Sequence, residues 1–287
     1  MTDTMDIRDK LTAKRAAVDA ELARILTGEP AGMYEVMRYA VGGGKRFRPL
    51  LLLAVGEALG AQRSLILPYA CAVELIHSYS LVHDDLPAMD NDDVRRGKPS
   101  CHKAFGEGRA LLAGDGLLTL AFEVLSRTPF DPALCSRKER ACREIASAAG
   151  AEGMIKGQWL DITLAPGNPG EEAFLDLIRR KTGALIRASA VAGAVLAGAP
   201  EAALRAVDDF GESVGLAFQV RDDILDAGPS PPPTEPNAVA VFGRDGARSR
   251  LDTAVDSALR ALEALPVDTG ELRYLAGTLR LESGFLS

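Results

Sequence analysis

The clearest group of residues that could do chemistry is an acidic cluster in the first third of the chain. Asp84, Asp85 and Asp90 lie in the segment DDLPAMD, which ends the most apolar stretch of the sequence, residues 67–86. Carboxylates are rarely buried unless they are paired or bound to a metal ion. Because oxygen-only ligands favour hard cations, the cluster predicts a magnesium site.

A second acidic cluster, Asp222, Asp223 and Asp226, ends another largely apolar stretch. Asp222 and Asp226 are four residues apart, so a helix would place them on one face. Further back, that face carries Gln219, Phe218, Gly215 and Gly211. The glycines predict space beside the helix, either for a ligand or for a close helix neighbour.

Taken alone, each acidic cluster fits a solvated helix end. Two clusters that both end apolar helices fit that explanation less well. Like charges at a helix C-terminus oppose the helix dipole unless a cation offsets them. The pair of clusters therefore favours cation binding.

Basic residues accompany the acids. The segment GGGKRFRP (Gly42 to Pro49) offers backbone amides up to Gly44 beside Lys45, Arg46 and Arg48, which predicts a phosphate cradle. A plain surface loop is the alternative for this segment. Arg95 and Arg96 follow the first acidic cluster, where the alternative is charge balance within a loop.

Two single residues on apolar helices also indicate a site. Lys181, in the segment Lys181-Thr182-Gly183, needs an anionic partner if it is buried. His77, Ser80 and Asp84 share one helix face, which favours a ligand contact for His77 over a core position. His83 and His102 lack this alignment, and we expect both to be structural.

Composition bounds the class of protein. The 287 residues are 47% hydrophobic but only 5% aromatic, which suits helix packing better than sheets. The formal net charge of −7 argues against a nucleic-acid or anionic-membrane surface as the main partner. The four cysteines lack metal-type spacing, and we find no secretion signal or membrane span, so we expect a cytoplasmic protein.

The periodicity predicts one all-α domain over residues 1–287. Predicted helices cover residues 6–27, 35–39, 49–59, 67–86, 111–125, 137–162, 171–198, 200–226, 246–265 and 270–281. Residues 91–100 form a predicted charged loop. The proline-rich segment 227–239 cannot be fully helical and predicts a mobile loop.

Four motifs together resemble one family. They are HDDLPAMDNDDVRRGKP (His83 to Pro99), GGGKRFRP, RKTGALI (Arg180 to Ile186) and GLAFQVRDDILD (Gly215 to Asp226). Their order and spacing resemble the trans-type isoprenyl diphosphate synthases over about Tyr39 to Asp226. The resemblance implies an all-α bundle around a central active-site cavity, usually in a homodimer, and an enzyme that joins isopentenyl diphosphate to an allylic diphosphate.

The resemblance also implies roles for individual residues. Magnesium ions would be held by Asp84, Asp85, Asp90, Asp222, Asp223 and Asp226. Lys181, Gln219 and Arg95 would hold the allylic diphosphate. Lys45, Arg48, His77 and Arg96, with the backbone at Gly44, would hold isopentenyl diphosphate. Thr182, Phe218 and Gln219 would line the position of the carbocation.

In the family that the chain resembles, the residues just before the first motif set the depth of the cavity and so the product length; here they are Tyr79 and Ser80. A bulky Tyr79 resembles bacterial farnesyl diphosphate synthases, which favours fifteen carbons over the twenty of a geranylgeranyl diphosphate synthase. The alternative is that Tyr79 only packs in the core.

Two other functions are open, and the first of them rests on a departure from the family pattern. The family carries lysines after the second acidic motif, whereas this chain has none after Lys181. A weakly active partner subunit of another prenyl synthase is therefore one alternative, and a terpene cyclase is another.

Overall fold

The chain is almost wholly helical in the computed structural model, which describes residues 4–29, 31–127, 131–164, 169–227 and 236–281. The helices are α1 (Thr4–Ile25), α2 (Met33–Val41), α3 (Phe47–Ala58), α4 (Arg63–Asp84), α5 (Cys101–Phe105), α6 (Glu107–Arg127), α7 (Cys135–Ala149), α8 (Met154–Leu164), α9 (Glu171–Ile178), α10 (Ala184–Ala197), α11 (Glu201–Asp226), α12 (Ala238–Ala261) and α13 (Gly270–Gly277). The expected all-α class is confirmed.

Three short helical turns and one hairpin complete the described elements. The turns are the 3₁₀ segments Pro132–Leu134 and Leu262–Ala264 and a π-helical turn, Arg179–Gly183. The predicted loop 91–100 contains a two-stranded antiparallel hairpin, β1 (Val94–Arg95) and β2 (Lys98–Pro99). Arg96 and Gly97 both have positive φ, as the tight turn of a two-residue hairpin requires.

Helices α3, α4 and α10 lie at the centre of one continuous apolar cluster that runs from α1 to beyond α13. In α4, Tyr69 to Val73 are fully buried, and α10 is buried along most of its length because Ala and Val fill it. Helix α4 is long and apolar enough to cross a bilayer by length and composition alone. However, 67% of its apolar window is buried inside the protein, as expected for a core helix.

Two predicted helices are each divided. Residues 137–162 form α7 and α8 with a break at 150–153, where a Cβ on Gly153 would lie 2.1 Å from the Ala148 carbonyl oxygen. Residues 171–198 form α9, the π-turn and α10. Helical periodicity alone does not reveal either interruption, because both depend on contacts with neighbouring elements.

The predicted loop 227–239 is only partly described, since residues 228–235 lie outside the described ranges. Helix α12 already begins at Ala238, with Asn237 as its N-cap. The helix predicted at residue 246 therefore starts eight residues earlier, with a backbone break at Gly243, whose φ is 69°.

Candidate active site

A cavity of about 510 Å³ lies where α3, α4, α11 and the π-turn meet. It brings together both acidic clusters and most of the predicted basic residues. The predicted residues that line it are Gly44, Lys45, Arg48, His77, Asp84, Asp90, Arg95, Arg96, Lys181, Thr182, Phe218, Gln219, Asp222 and Asp226. Residues from four separate stretches of the chain thus converge on one space.

The first acidic cluster folds back on itself, because the amide of Asp90 donates to the Asp84 carbonyl at 2.9 Å. This turn places both carboxyl groups on the cavity. Burial raises the pKa of Asp84 to about 7, although Lys181 opposes the rise, and burial also raises the pKa of Asp90. Burial thus disfavours the ionised form of these carboxylates, and a bound cation would stabilise that form.

Asp85 has a different environment from Asp84. It is almost fully buried, and its Oδ1 accepts a hydrogen bond from Arg95 Nε at 2.9 Å. Arg95 also reaches Asp92 at 2.8 Å. Asp85 thus fixes Arg95 at the cavity wall, although sequence analysis grouped it with the metal ligands.

In the second acidic cluster, too, the carboxylates lie in different environments. Asp222 and Asp226 line the cavity, and burial raises the pKa of Asp222 to about 6. Asp223 lies on another side of α11, where its two carboxylate oxygens accept hydrogen bonds from Gln219 Nε2 and from the amide of Ala238, both at 2.7 Å. The predicted metal role of Asp223 therefore competes with two hydrogen bonds already present.

The basic loop before α3 also assigns its cations to different tasks. Arg46 has a left-handed backbone (φ 56°) and is buried, with Nη1 2.7 Å from Glu74 Oε1 and Nε 2.8 Å from Asp19 Oδ1. Arg46 thus anchors the loop, although it also lines the cavity together with Lys45 and Arg48.

Arg48 is suited to an anion. It is buried, and its Nε has no hydrogen-bond partner within the described part of the chain. Burial lowers its pKa to about 10, and its guanidinium carbon lies 5.6 Å from the centroid of the Phe218 ring. An unpartnered buried donor is costly unless a ligand supplies the acceptor.

Gly44 has a steric role beyond the expected amide contact. Its φ is 90°, and a Cβ there would lie 2.8 Å from Cζ of Arg96. Arg96 Nη1 in turn donates to the Gly43 carbonyl at 3.3 Å. The hairpin and the glycine loop therefore close one side of the cavity together.

The π-turn carries Lys181 and Thr182 into the cavity between two glycines. A Cβ on Gly157 would lie 2.1 Å from the Lys181 nitrogen, and one on Gly215 would lie 2.8 Å from the Gly183 Cα. Of the two alternatives for the α11 glycines, close helix packing is the one observed. Wide turns of this kind are frequent at functional sites.

Asp161 is one site residue that sequence analysis missed. It lies on α8 and forms an ion pair with Lys181. Although burial opposes it, Asp161 and Asp84 raise the pKa of Lys181. The expectation of an anionic partner for Lys181 was available from the sequence, but nothing in the single carboxylate of the segment QWLDI identified Asp161.

His77 lies between this cavity and a second one of about 320 Å³, and it lines both. Desolvation and the nearby guanidinium of Arg48 lower the pKa of His77 well below its ordinary value. The imidazole is therefore neutral near pH 7, when it can donate one hydrogen bond and accept another.

The second cavity is mainly apolar and adjoins the first. Besides the residues shared with the first cavity, its lining is Tyr79, Ser80, His83, Met89, Met154, Ile155, Gln158, Trp159 and Ile162. Ser80 does not offer its hydroxyl proton to this cavity, because Oγ donates to the His77 carbonyl at 2.9 Å. The two cavities together form a polar chamber with an apolar extension.

The two remaining histidines have structural contacts. His83 Nε2 lies 3.0 Å from the Leu111 carbonyl, and His102 Nδ1 lies 3.0 Å from Ser100 Oγ. His83 nevertheless lines the apolar cavity, which the sequence did not indicate.

The donor set fits magnesium. Within the described ranges, no three His, Cys, Asp or Glu residues form a ready-made metal cluster. Magnesium keeps several waters and is usually bound by one or two carboxylates together with ligand phosphates. Carboxylates on two sides of a chamber with raised pKa values match that mode of binding, with the remaining ligands supplied by a diphosphate.

Comparison with known proteins agrees with this geometry. The polyprenyl synthetase family pattern matches residues 30–235, and the chain belongs to this family of prenyltransferases. A farnesyl diphosphate synthase of Geobacillus stearothermophilus is 40% identical over 94% of this chain and 96% of its own.

Two further proteins are similar to this chain. The large subunit 1 of a heterodimeric geranylgeranyl pyrophosphate synthase of Arabidopsis thaliana is 49% identical over 69% of this chain and 55% of its own. The crystal structure of a geranyltransferase from Legionella pneumophila has a TM-score of 0.87 and 34% identity, covering 96% of each chain. The family resemblance found in the sequence is confirmed.

Proposed function

We propose that the chain is a short-chain trans-prenyl diphosphate synthase that joins isopentenyl diphosphate to an allylic diphosphate, with farnesyl diphosphate as its favoured product. One observation carries the proposal. A chamber lined by two separate acidic clusters and a basic set opens into an apolar cavity that contains Tyr79.

The allylic diphosphate would bind between the acidic clusters. Asp84, Asp85 and Asp90 with Asp222 and Asp226 would hold the magnesium ions, which neutralise the charge that develops on the leaving diphosphate. Lys181 and Arg95, each fixed by a carboxylate, would donate hydrogen bonds to that diphosphate together with Gln219. The carbon chain would extend into the apolar cavity.

Isopentenyl diphosphate would bind at the opposite wall. Lys45, Arg48 and Arg96 supply positive charge there, and the unpartnered Nε of Arg48 would gain its acceptor. Neutral His77 would add a directed hydrogen bond without adding charge. Gly44 keeps the wall thin enough for Arg96 to pack against it.

The carbocation would form beside Thr182 and Phe218. The phenylalanine ring already lies against a cation, Arg48, and a ring face stabilises positive charge. The apolar cavity keeps water away from the cation, and the released diphosphate would accept the proton lost from the new chain.

Product length, assembly and location belong to the same proposal. Tyr79 would limit the product to fifteen carbons, and geranylgeranyl diphosphate is the alternative product. The family resemblance supports a homodimer in the cytoplasm. The family assignment favours a synthase over a cyclase, while the weakly active partner subunit is still the alternative motivated by the absence of lysine after Lys181.

Product analysis tests the proposal. The purified protein is incubated with Mg²⁺, labelled isopentenyl diphosphate and dimethylallyl diphosphate, and chain length is read by chromatography. A fifteen-carbon diphosphate is expected. A twenty-carbon product would replace the favoured product but keep the reaction, whereas no product with dimethylallyl, geranyl or farnesyl diphosphate would support the partner-subunit alternative.

A further inference from the structure

We propose that Asp223 is a positioning residue and not a magnesium ligand. One carboxylate oxygen holds the first turn of α12, and the other orients Gln219 and, through Gln219, the hydroxyl of Thr182. This inference rests on the proposed function, because Thr182 acts on the allylic substrate.

Asp223 lies at the junction between α11 and α12. Asp223 Oδ2 accepts from the amide of Ala238 at 2.7 Å, while Asn237 Oδ1 caps the same helix by accepting from Val239 at 2.9 Å and Ala240 at 3.1 Å. Asn237 Nδ2 also reaches the Asp223 carbonyl at 3.4 Å. Three otherwise unpaired amides at the start of α12 are thereby satisfied, and Asp223 supplies one of the acceptors.

A chain of hydrogen bonds runs from Asp223 toward the cavity. Gln219 Nε2 donates to Asp223 Oδ1 at 2.7 Å, one helical turn away. A carboxylate can only accept, so it fixes the amide of Gln219 with its nitrogen toward Asp223 and its oxygen toward Thr182. Gln219 Oε1 then accepts the hydroxyl proton of Thr182.

This direction of hydrogen bonding has a chemical consequence. Because the Thr182 proton points at Gln219, the hydroxyl oxygen keeps its lone pairs for the cavity that Thr182 lines. Lone pairs facing a developing allylic cation stabilise it, whereas a reversed hydroxyl would present its proton. Asp223 thus determines that the oxygen of the Thr182 hydroxyl, and not its proton, faces the reacting carbon. It does so without contacting the substrate.

The alternative, a magnesium ligand at Asp223, conflicts with these contacts. Asp223 is only 8% exposed, and both of its oxygens already accept hydrogen bonds. A metal ion there would have to share a carboxylate oxygen with the amide of Ala238 or with that of Gln219. Asp222 and Asp226, which share a different face of α11, line the cavity directly.

Asp223→Asn tests the inference, with Asp222→Asn as its control. In the Asp223→Asn protein the new amide can no longer accept from both neighbours, so Gln219 turns over and Thr182 reverses. We expect kcat to fall about 10- to 100-fold, the range for lost outer-shell partners, with an unchanged Mg²⁺ concentration for half-maximal rate. Asp222→Asn should instead raise the Mg²⁺ requirement.

A double variant separates orientation from charge. In Asp223→Asn with Gln219→Glu, the glutamate accepts from both Thr182 and the new asparagine, which restores the direction of the Thr182 hydroxyl. Recovery of at least tenfold in kcat relative to Asp223→Asn is expected. A raised Mg²⁺ requirement in Asp223→Asn, without recovery in the double variant, would overturn the inference.

A measurement on the unmodified protein needs no folded variant. Amide hydrogen exchange of residues 238–240 is followed with and without Mg²⁺ and a non-reactive allylic thiodiphosphate. Unchanged or stronger protection is expected, since Asp223 keeps its bond to Ala238. Faster exchange on loading would show that the metal takes this carboxylate and would refute the inference. Absence of any product from the unmodified protein would instead count against the proposed function.

Discussion

The ring of Tyr79 meets the ring of His83 edge-on, with 5.7 Å between the ring centroids and 78° between the planes. Both side chains lie on the same face of α4 and line the apolar cavity. His83 is fixed from the other side by the Leu111 carbonyl of α6 at 3.0 Å. Two rings in edge-to-face contact therefore form part of the cavity lining, and the Leu111 carbonyl holds one of them from behind.

Tyr79→Ala should lengthen the product. Removing the ring opens the apolar cavity toward His83, so a chain of twenty or more carbons can be accommodated. Tyr79→Phe is the matched control, because it keeps the ring and should keep the fifteen-carbon product. Product chromatography decides the outcome, and an unchanged product from Tyr79→Ala would place the limit on chain length elsewhere.

Gly114→Ala should disturb the contact between Tyr79 and His83, because Gly114 packs against His83. A Cβ on Gly114 would lie 2.1 Å from His83 Nε2, so His83 must move and Tyr79 loses its support. We expect a destabilisation of about 1–3 kcal/mol, typical of overpacking, together with a shift toward longer products. Thermal unfolding and product chromatography measure the two effects.

Gly108→Ala is the control on the same helix, since a Cβ at Gly108 would meet nothing within 4 Å. Because Gly108 lies in the first turn of α6, alanine there should change stability by less than about 0.5–1 kcal/mol, the mid-helix value, and leave product length unchanged. Equal behaviour of the two variants would contradict a supporting role for His83.

Asp84→Asn should abolish turnover while preserving the fold. Burial raises the pKa of Asp84 to about 7, so above that pH the free protein carries a charge that its surroundings disfavour. A neutral amide removes this penalty, and the melting temperature should stay the same or rise. The rate should fall at least ~100-fold, as for loss of a preorganised electrostatic group. A near-normal rate would refute the metal role.

Magnesium affinity should fall as the pH is lowered from about 8 to about 6. Burial raises the pKa of Asp84 to about 7 and that of Asp222 to about 6, so protons compete with the metal below these values. The limit is about a tenfold loss of affinity per pH unit for each proton displaced. Trp159, the single tryptophan, lines the apolar cavity, and its fluorescence can report loading with Mg²⁺ and an allylic analogue.

The Asp84→Asn protein provides the comparison for that titration. Its Mg²⁺ affinity should be weak but should lose the part of the pH dependence centred near 7. An affinity that does not change between pH 6 and 8 in the unmodified protein would contradict the role assigned to buried carboxylates.

Glu74→Gln should destabilise the fold because it breaks a buried ion pair with Arg46. The side chains of Glu74 and Arg46 are 2% and 6% exposed, and leaving such a charge fully unpaired costs about 3–5 kcal/mol. Because Asp19 still pairs with Arg46, we expect a loss below that range. The other partner of Arg46, Asp19, is 45% exposed. Asp19→Asn should therefore cost less than about 1 kcal/mol. Urea unfolding of the two variants would show whether Arg46 anchors the loop; equal losses would argue against it.

The main helices could be predicted because their apolar stretches are long and their ends carry clear signals. Helix α11 was expected at residues 200–226 and is found at Glu201–Asp226. The π-turn at Arg179–Gly183 could not be predicted, because Gly157 and Gly215 hold it from two other helices. Hydrophobic periodicity describes each helix separately and gives no information about contacts between helices.

The sequence by itself determined the chemistry available: two acidic clusters at helix ends, a basic glycine loop and a lysine in need of an anion. Only the tertiary structure decided how these groups are used. It turned Asp84 and Asp222 toward one cavity, while Asp85 fixes Arg95 and Asp223 holds α12 and Gln219. The physical reason is that a helix sets the angle of each side chain about its own axis, whereas the partner that each carboxylate meets is set by packing between elements distant in the chain.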